Sequence, residues 1–139
     1  MNDKTFVDSN SLICAHDIDA GDKYLMARRS LDALWANASG ALSPQVLQEF
    51  YVDSTRKIAK PLSRRVACEV VYDFSAWCVE TTNTEVSTAF RIEDEAKISF
   101  WDALILSSAL KAGAAIFLSE DMNGGQKIAG IRIVNPFLS

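Results

Sequence analysis

Two short stretches of this chain are apolar without interruption, Thr5-Phe6-Val7 and Ala114-Ala115-Ile116-Phe117-Leu118, and between them apolar residues recur at helical spacing. An unbroken apolar run is expected of a central parallel strand covered on both faces, and the alternation of Ile131-Arg132-Ile133-Val134 suits an edge strand. Gly40-Ala41-Leu42 and Cys78-Val79-Glu80 read as short further strands. Asp22 can cap a helix to about Asn37, with Tyr24, Ala27, Leu31, Leu34 and Trp35 on one face. Ser43-Pro44 places an N-cap and an N1 proline before Val46, Leu47, Phe50, Tyr51 and Ile58, and Pro61 ends that helix by Lys60. Another helix follows Ser63, with Val66, Val70, Phe74 and Trp77 aligned, and Asn83 or Thr84 caps one to about Glu95. Ser99 caps a last helix with Asp102 at N3; Ala103 to Ala112 is apolar on nearly every side and should be buried. Helices of this length between strands supply right-handed crossovers. The expectation is one domain over residues 1–139, a three-layer α/β/α sandwich with a mainly parallel central sheet.

Composition narrows the class. With 139 residues and 49% hydrophobic content, one core is expected. The start, Met-Asn-Asp-Lys-Thr-Phe, is charged at once, and no stretch approaches the roughly 18 apolar residues of a membrane span. Cys14, Cys68 and Cys78 are odd in number and lack a CxxC, so they read as reduced thiols, core or semi-buried, in a cytoplasmic protein. The sole histidine, His16, excludes most zinc and Ser-His-Asp chemistry and reads as a surface or helix-end residue. Trp35, Trp77 and Trp101 fall on apolar helix faces and read as core before base-stacking platforms.

The net charge of −4 argues against indiscriminate nucleic-acid binding, which depends on Lys and Arg displacing counterions. Arg56, Lys57, Lys60, Arg64 and Arg65 nevertheless cluster, and Arg28-Arg29 make a second group. Such clusters are either solvated helix faces or phosphate contacts.

Four acids stand at ends of expected elements: Asp8 after the first strand, Glu49, Asp102, and Asp121 just past the second apolar run. Each has a structural explanation as a turn residue, a solvated helix position or a first-turn charge. Together they suggest more, because an open α/β sheet gathers the carboxyl ends of its strands at one crevice. Clustered carboxylates raise one another's pKa, and a hard cation removes that conflict. Oxygen ligands without histidine or cysteine favour Mg²⁺ or Mn²⁺, and one or two such ions suit phosphodiester hydrolysis.

Five stretches carry a family resemblance: Phe6-Val7-Asp8-Ser9-Asn10, Ser43 to Phe50, Ser99-Phe100-Trp101-Asp102-Ala103-Leu104-Ile105, Leu118 to Gln126, and Ile133-Val134-Asn135-Pro136-Phe137. In this order, across essentially the whole chain, they resemble PIN-domain proteins of the VapC toxin type. The resemblance implies a Mg²⁺- or Mn²⁺-dependent endoribonuclease whose catalytic and metal-binding quartet is Asp8, Glu49, Asp102 and Asp121, with Asn10 and Ser119 as accessory polar residues. It also implies an RNA substrate, an antitoxin protein as partner and a homodimer. Arg56, Lys57, Arg64 and Arg65 are the candidate substrate-binding cations. Some PIN proteins carry a further acid where this chain has Asn123, which leaves one or two ions open, and Glu120 competes with Asp121. The alternatives are a degenerate PIN-like module that binds RNA or protein without turnover, and an Asp-dependent phosphohydrolase. The second is disfavoured because Asn10 stands where a second acid is usual. A phosphoreceiver is disfavoured because Asn135, not lysine, precedes Pro136.

Overall fold

The computed structural model describes residues 3–122 and 124–138. The two apolar runs become β1 (Lys4–Val7) and β3 (Ala114–Leu118), paired in parallel with Phe6 opposite Phe117. Their rings stack at 5.3 Å and 10°, both almost fully buried. Around this pair β2 (Gly40–Ala41), β4 (Lys127–Ile128) and β5 (Ile131–Val134) complete one sheet in the order β2-β1-β3-β5-β4. All neighbours are parallel except β4 and β5.

Among the described residues six α-helices accompany the sheet: α1 (Ser9–Cys14), α2 (Asp22–Asn37), α3 (Pro44–Arg56), α4 (Arg64–Phe74), α5 (Asn83–Ala96) and α6 (Phe100–Lys111). α5 packs on α6, while α1 packs on α2 and α3, and α3 on α4. The result is the expected α/β/α sandwich. α6 buries Ala103, Ile105, Leu106 and Ala109, as its apolar composition requires. Its buried Ser107 and Ser108 donate back to the Leu104 carbonyl at 2.6 and 3.4 Å, so neither hydroxyl is stranded. No helix among the described residues is long and apolar enough to cross a membrane.

Several local expectations change. β5 is not the edge: β4 covers it through a tight hairpin in which Ala129 and Gly130 both take positive φ, 53° and 84°, the twist that suits a two-residue turn. The expected strand at Cys78-Val79-Glu80 reduces to one parallel bridge between Leu42 and Cys78. Gly40 beside it must be glycine, since a Cβ there would lie 2.6 Å from the Trp77 ring. α3 stops at Arg56 rather than Lys60, because the chain folds back and Leu62 N–H donates to the Ser54 carbonyl at 2.9 Å. α5 is capped by Thr82, not Asn83 or Thr84, in a reciprocal box with Glu85. Asp22 is the first residue of α2, and Gly21 is its N-cap.

His16 stands just past the end of α1, as expected of a helix-end residue, but is half-buried rather than at the surface. Its Nδ1–H donates to the Leu12 carbonyl at 2.8 Å, its ring lies edge-on to Phe50 and Phe74, and burial lowers its pKa. All three cysteines are free thiols, and burial pushes Cys14 up to about 11. Of the three tryptophans only Trp77 is buried; Trp35 is partly exposed and Trp101 is 67% exposed.

Candidate active site

The chain leaves β1 towards β2 on one side and later places β3 on the other, so the carboxyl ends of β1 and β3 flank a topological switch point. Asp8 follows β1 directly and caps α1, its Oδ1 accepting from Ser11 N–H at 3.0 Å. Ser119 follows β3 directly. Its buried Oγ accepts from the backbone N–H groups of Asp121 and Met122, each at 3.2 Å, which shapes the loop that carries Asp121. Ser99 caps α6 by accepting from Asp102 N–H at 3.1 Å and so fixes Asp102 in the first turn. Glu49 comes from the middle of α3, where both of its oxygens are occupied: Ser9 Oγ donates to one at 2.7 Å and Gln45 Nε2 to the other at 3.1 Å.

These four carboxylates and Ser119 line one small cleft of about 130 Å³, with Gln45, Trp101 and Met122 among its other walls. The electrostatics reflect their meeting. Burial raises Asp8 from 3.8 to about 6, and the charge of Asp121 adds to the rise, against the opposing hydrogen bonds of Ser11 and Ser119. Sharing a cleft is not yet chelation. No three of the described acidic, histidine or cysteine side chains are gathered closely enough to hold a metal ion. The hydrogen bonds explain the spread, since Ser9 and Gln45 hold Glu49 while Ser11 holds Asp8. The donor set, hard oxygens from four segments around a cleft, fits a Mg²⁺-like ion, provided Glu49 is drawn away from Ser9 and Gln45.

The other candidate residues fall elsewhere. Asn10 donates through Nδ2 to Glu120, whose second oxygen accepts from Lys23 at 2.7 Å. Neither Asn10 nor Glu120 lines the acid cleft, so Glu120 is tied into a structural network while Asp121 faces the cleft. Asn123 lies outside the described residues. Arg56, Lys57, Arg64 and Arg65 are exposed at the corner joining α3 to α4, and none lines the cleft. Lys57 pairs with Asp53 at 3.2 Å and Arg65 with Glu69 at 2.9 Å, both one turn away on the same helix. Arg56 and Arg64 make no ion pair among the described residues.

Sequence reasoning passed over three residues that shape this cleft. Gln45 stands four residues before Glu49, a spacing that puts both on one helix face and was legible. Ser9 becomes relevant only through α1, which was not anticipated. Trp101 was read as core, yet it stands exposed on the cleft wall.

Neither a protein-family model nor a curated protein sequence matches the chain. Solved structures do. A toxin-antitoxin complex from Klebsiella pneumoniae contains a chain similar over 96% of this one and 98% of its own length, with a TM-score of 0.67 and 18% identity. Mycobacterium tuberculosis VapC20, a sarcin-ricin loop cleaving toxin, is similar over 82% of this chain and 87% of its own, with a TM-score of 0.60 and 20% identity. The fold is PIN-like. At such identities the likeness establishes architecture, and the acid cleft sits at this fold's switch point.

Proposed function

We propose that the protein is a metal-dependent endoribonuclease, the toxin of a toxin-antitoxin pair. One observation carries the reading: four carboxylates from four separate segments line a single cleft at the carboxyl ends of β1 and β3. The fold likeness to a sarcin-ricin loop cleaving toxin supports RNA as substrate, and likeness to a chain of a toxin-antitoxin complex supports an antitoxin partner. The three free thiols fit a reducing, cytoplasmic setting. A homodimer is part of the same reading.

Asp8, Glu49, Asp102 and Asp121 would hold one or two Mg²⁺ or Mn²⁺ ions. When bound, such an ion supplies positive charge for the phosphate oxygens and makes water a better nucleophile. The chain's own contribution is placement. Ser99 fixes Asp102, Ser119 shapes the Asp121 loop, and Ser9 and Gln45 hold Glu49 at the cleft wall, a hold it would have to give up to ligate an ion. The antitoxin would neutralise the cleft with a cationic side chain, which four carboxylates attract.

An Asp-dependent phosphohydrolase fits less well. Asp8 is buried and bound to Ser11 N–H, which limits its reach as a nucleophile, and Asn10 is turned to Glu120. The spread of the carboxylates favours, as second reading, a PIN-like module that binds without turnover. Incubating a broad RNA pool with wild type and Asp102→Asn, with and without Mn²⁺ and with end mapping, separates the two. Mn²⁺-dependent cuts by the wild type alone support the nuclease; retained RNA binding without cuts supports the module. Co-expression with the product of the neighbouring reading frame tests the partner.

A further inference from the structure

A second cavity, of about 410 Å³, adjoins the acid cleft and shares two wall residues with it, Gln45 and Trp101. Its volume lies in the range of small-molecule sites. Trp101 is 67% exposed, and its one ring contact among the described residues is edge-on to Phe100, so an indole face is open. An exposed tryptophan in the first turn of a buried helix contributes little to the core that α6 builds.

The cavity's chemistry suits an uncharged, hydrogen-bonding ring. Its lining includes Gln48, Asn83 and Thr81, exposed residues whose amides and hydroxyl can hydrogen-bond a base. Glu85 is the one charged residue among the lining. Its carboxylate is already engaged by Thr82 N–H at 2.6 Å, Thr82 Oγ1 at 2.8 Å and Lys111 at 3.4 Å. A phosphate would meet that carboxylate with no cation in the cavity wall to offset it; a neutral base would not.

We propose that this cavity is a nucleobase subsite: an unstacked base of single-stranded RNA enters it and stacks on Trp101, while the adjoining backbone phosphate lies at the acid cleft. The assignment rests on the nuclease reading and adds to it the source of base preference. Single-stranded segments present bases in this way, splayed and stacked on aromatic side chains. Gln45 and Trp101 belong to both walls, so one nucleotide spans subsite and cleft.

The test uses the full chain and single-stranded RNA hexamers of each base, with EDTA present so that nothing is cut. Binding should quench tryptophan emission in the wild type, and Trp101→Phe should lose the quench while keeping affinity by anisotropy, since phenylalanine still stacks. Trp101→Ala should bind roughly 5- to 150-fold more weakly, the range of one base stack. With Mn²⁺ added, Asn83→Ala should shift the base found beside the cut. Melting curves should be unchanged for the Trp101 variants because that side chain is exposed. Cuts by Trp101→Ala at the same sites and rate as wild type overturn the subsite and leave the nuclease standing. An emission change on diluting the protein without RNA, with none on adding RNA, also overturns it, by assigning Trp101 to a contact between copies. If the wild type cuts no RNA, the nuclease reading fails, and the quench decides alone: present and lost in Trp101→Phe it sustains a base-binding site, absent it removes one.

Discussion

Helix α3 belongs to both of the charged groups of this molecule, with Glu49 in its middle and Arg56 in its last turn, and the two groups arise in opposite ways. The acids are remote in sequence and are brought together by topology. The cations of Arg56 to Arg65 are neighbours in sequence and remain on an exposed corner, where Lys57 and Arg65 pair locally. Burying a carboxylate in an acidic cleft has an energetic cost, visible in Asp8, raised to about 6 mainly by burial and in smaller part by Asp121; exposed cations with i,i+4 partners are worth little either way. A fold that retains the first arrangement calls for a compensating ligand, whereas the second is compatible with no function at all. The contrast therefore carries information that either cluster alone would not.

The strongest way to break the contrast is to neutralise both sides. Asp8→Asn, Asp102→Asn and Asp121→Asn should each lower single-turnover RNA cleavage by at least about 100-fold, the scale of losing one preorganised electrostatic group. Arg56→Ala and Arg64→Ala should each lower it by less than about 10-fold, as loss of single exposed contacts implies. Equal losses on the two sides would mean that the corner, and not the cleft alone, touches the reacting phosphate.

Stability should move in the other direction. Folded Asp8 titrates near 6 against 3.8 for an ordinary aspartate, so the folded state binds its proton more tightly than the unfolded chain. Its contribution is fully favourable below pH 3.8, fades as pH rises to about 6, and is absent at neutral pH, a span of about 3 kcal/mol. Asp8→Asn removes that dependence while keeping a good N-cap for Ser11 N–H. Denaturant melts should show the variant more stable than wild type at pH 7 and the gap closing towards pH 4. Mn²⁺ should raise the wild-type melting temperature and leave the variant's unmoved. Because burial is the larger cause and Asp121 a smaller one, Asp121→Asn should recover only part of the difference.

This energetic layer was only partly legible in the sequence. β1, β3 and α6 were readable because each is a long enough apolar run with a turn, cap or glycine at its end. α1 was missed because the six residues Ser9–Cys14 span too little chain to show a helical period, and β4, at two residues, shows no alternation. The quartet's shared cleft follows from strand-end positions and the crevice rule. Its side-chain detail does not: Asn10 was read as an accessory of the site, and nothing local reveals that its amide turns to Glu120 across most of the chain. Trp101 was misread for a related reason. Helical spacing places it with apolar neighbours, but the first turn of α6 stands at the cleft mouth, where a large ring stays exposed.

A smaller effect sharpens how the cleft is held. Ser99→Ala removes the hydroxyl that accepts from Asp102 N–H, and an N-cap of this kind is typically worth about 1 kcal/mol. The melting temperature should fall accordingly. Cleavage should fall further than the lost folded fraction accounts for, since the first turn that aims Asp102 frays. A variant that loses stability but keeps full activity per folded molecule would show that Asp102 is oriented by something other than its cap. Ser99→Asp, which restores the cap, should recover the stability.

The smallest expected effect belongs to the basic corner, and it decides whether that corner takes part at all. Replacing Arg56, Lys57, Arg64 and Arg65 together by Ala should alter stability little, because the pairs to Asp53 and Glu69 are exposed and worth at most about 1 kcal/mol each. If the corner grips the backbone of single-stranded RNA, each lost phosphate contact should flatten the plot of log affinity against log salt by roughly 0.7. Arg56 and Arg64, which make no ion pair among the described residues, should account for most of that change, since Lys57 and Arg65 must first give up a carboxylate. The measurement is RNA-hexamer anisotropy across a salt series for the wild type, the Arg56→Ala/Arg64→Ala pair and the quadruple variant. A slope unchanged in all three would make the corner a solvated face, and the acidic chain would then hold RNA through the cleft, its ion and the stacked base alone.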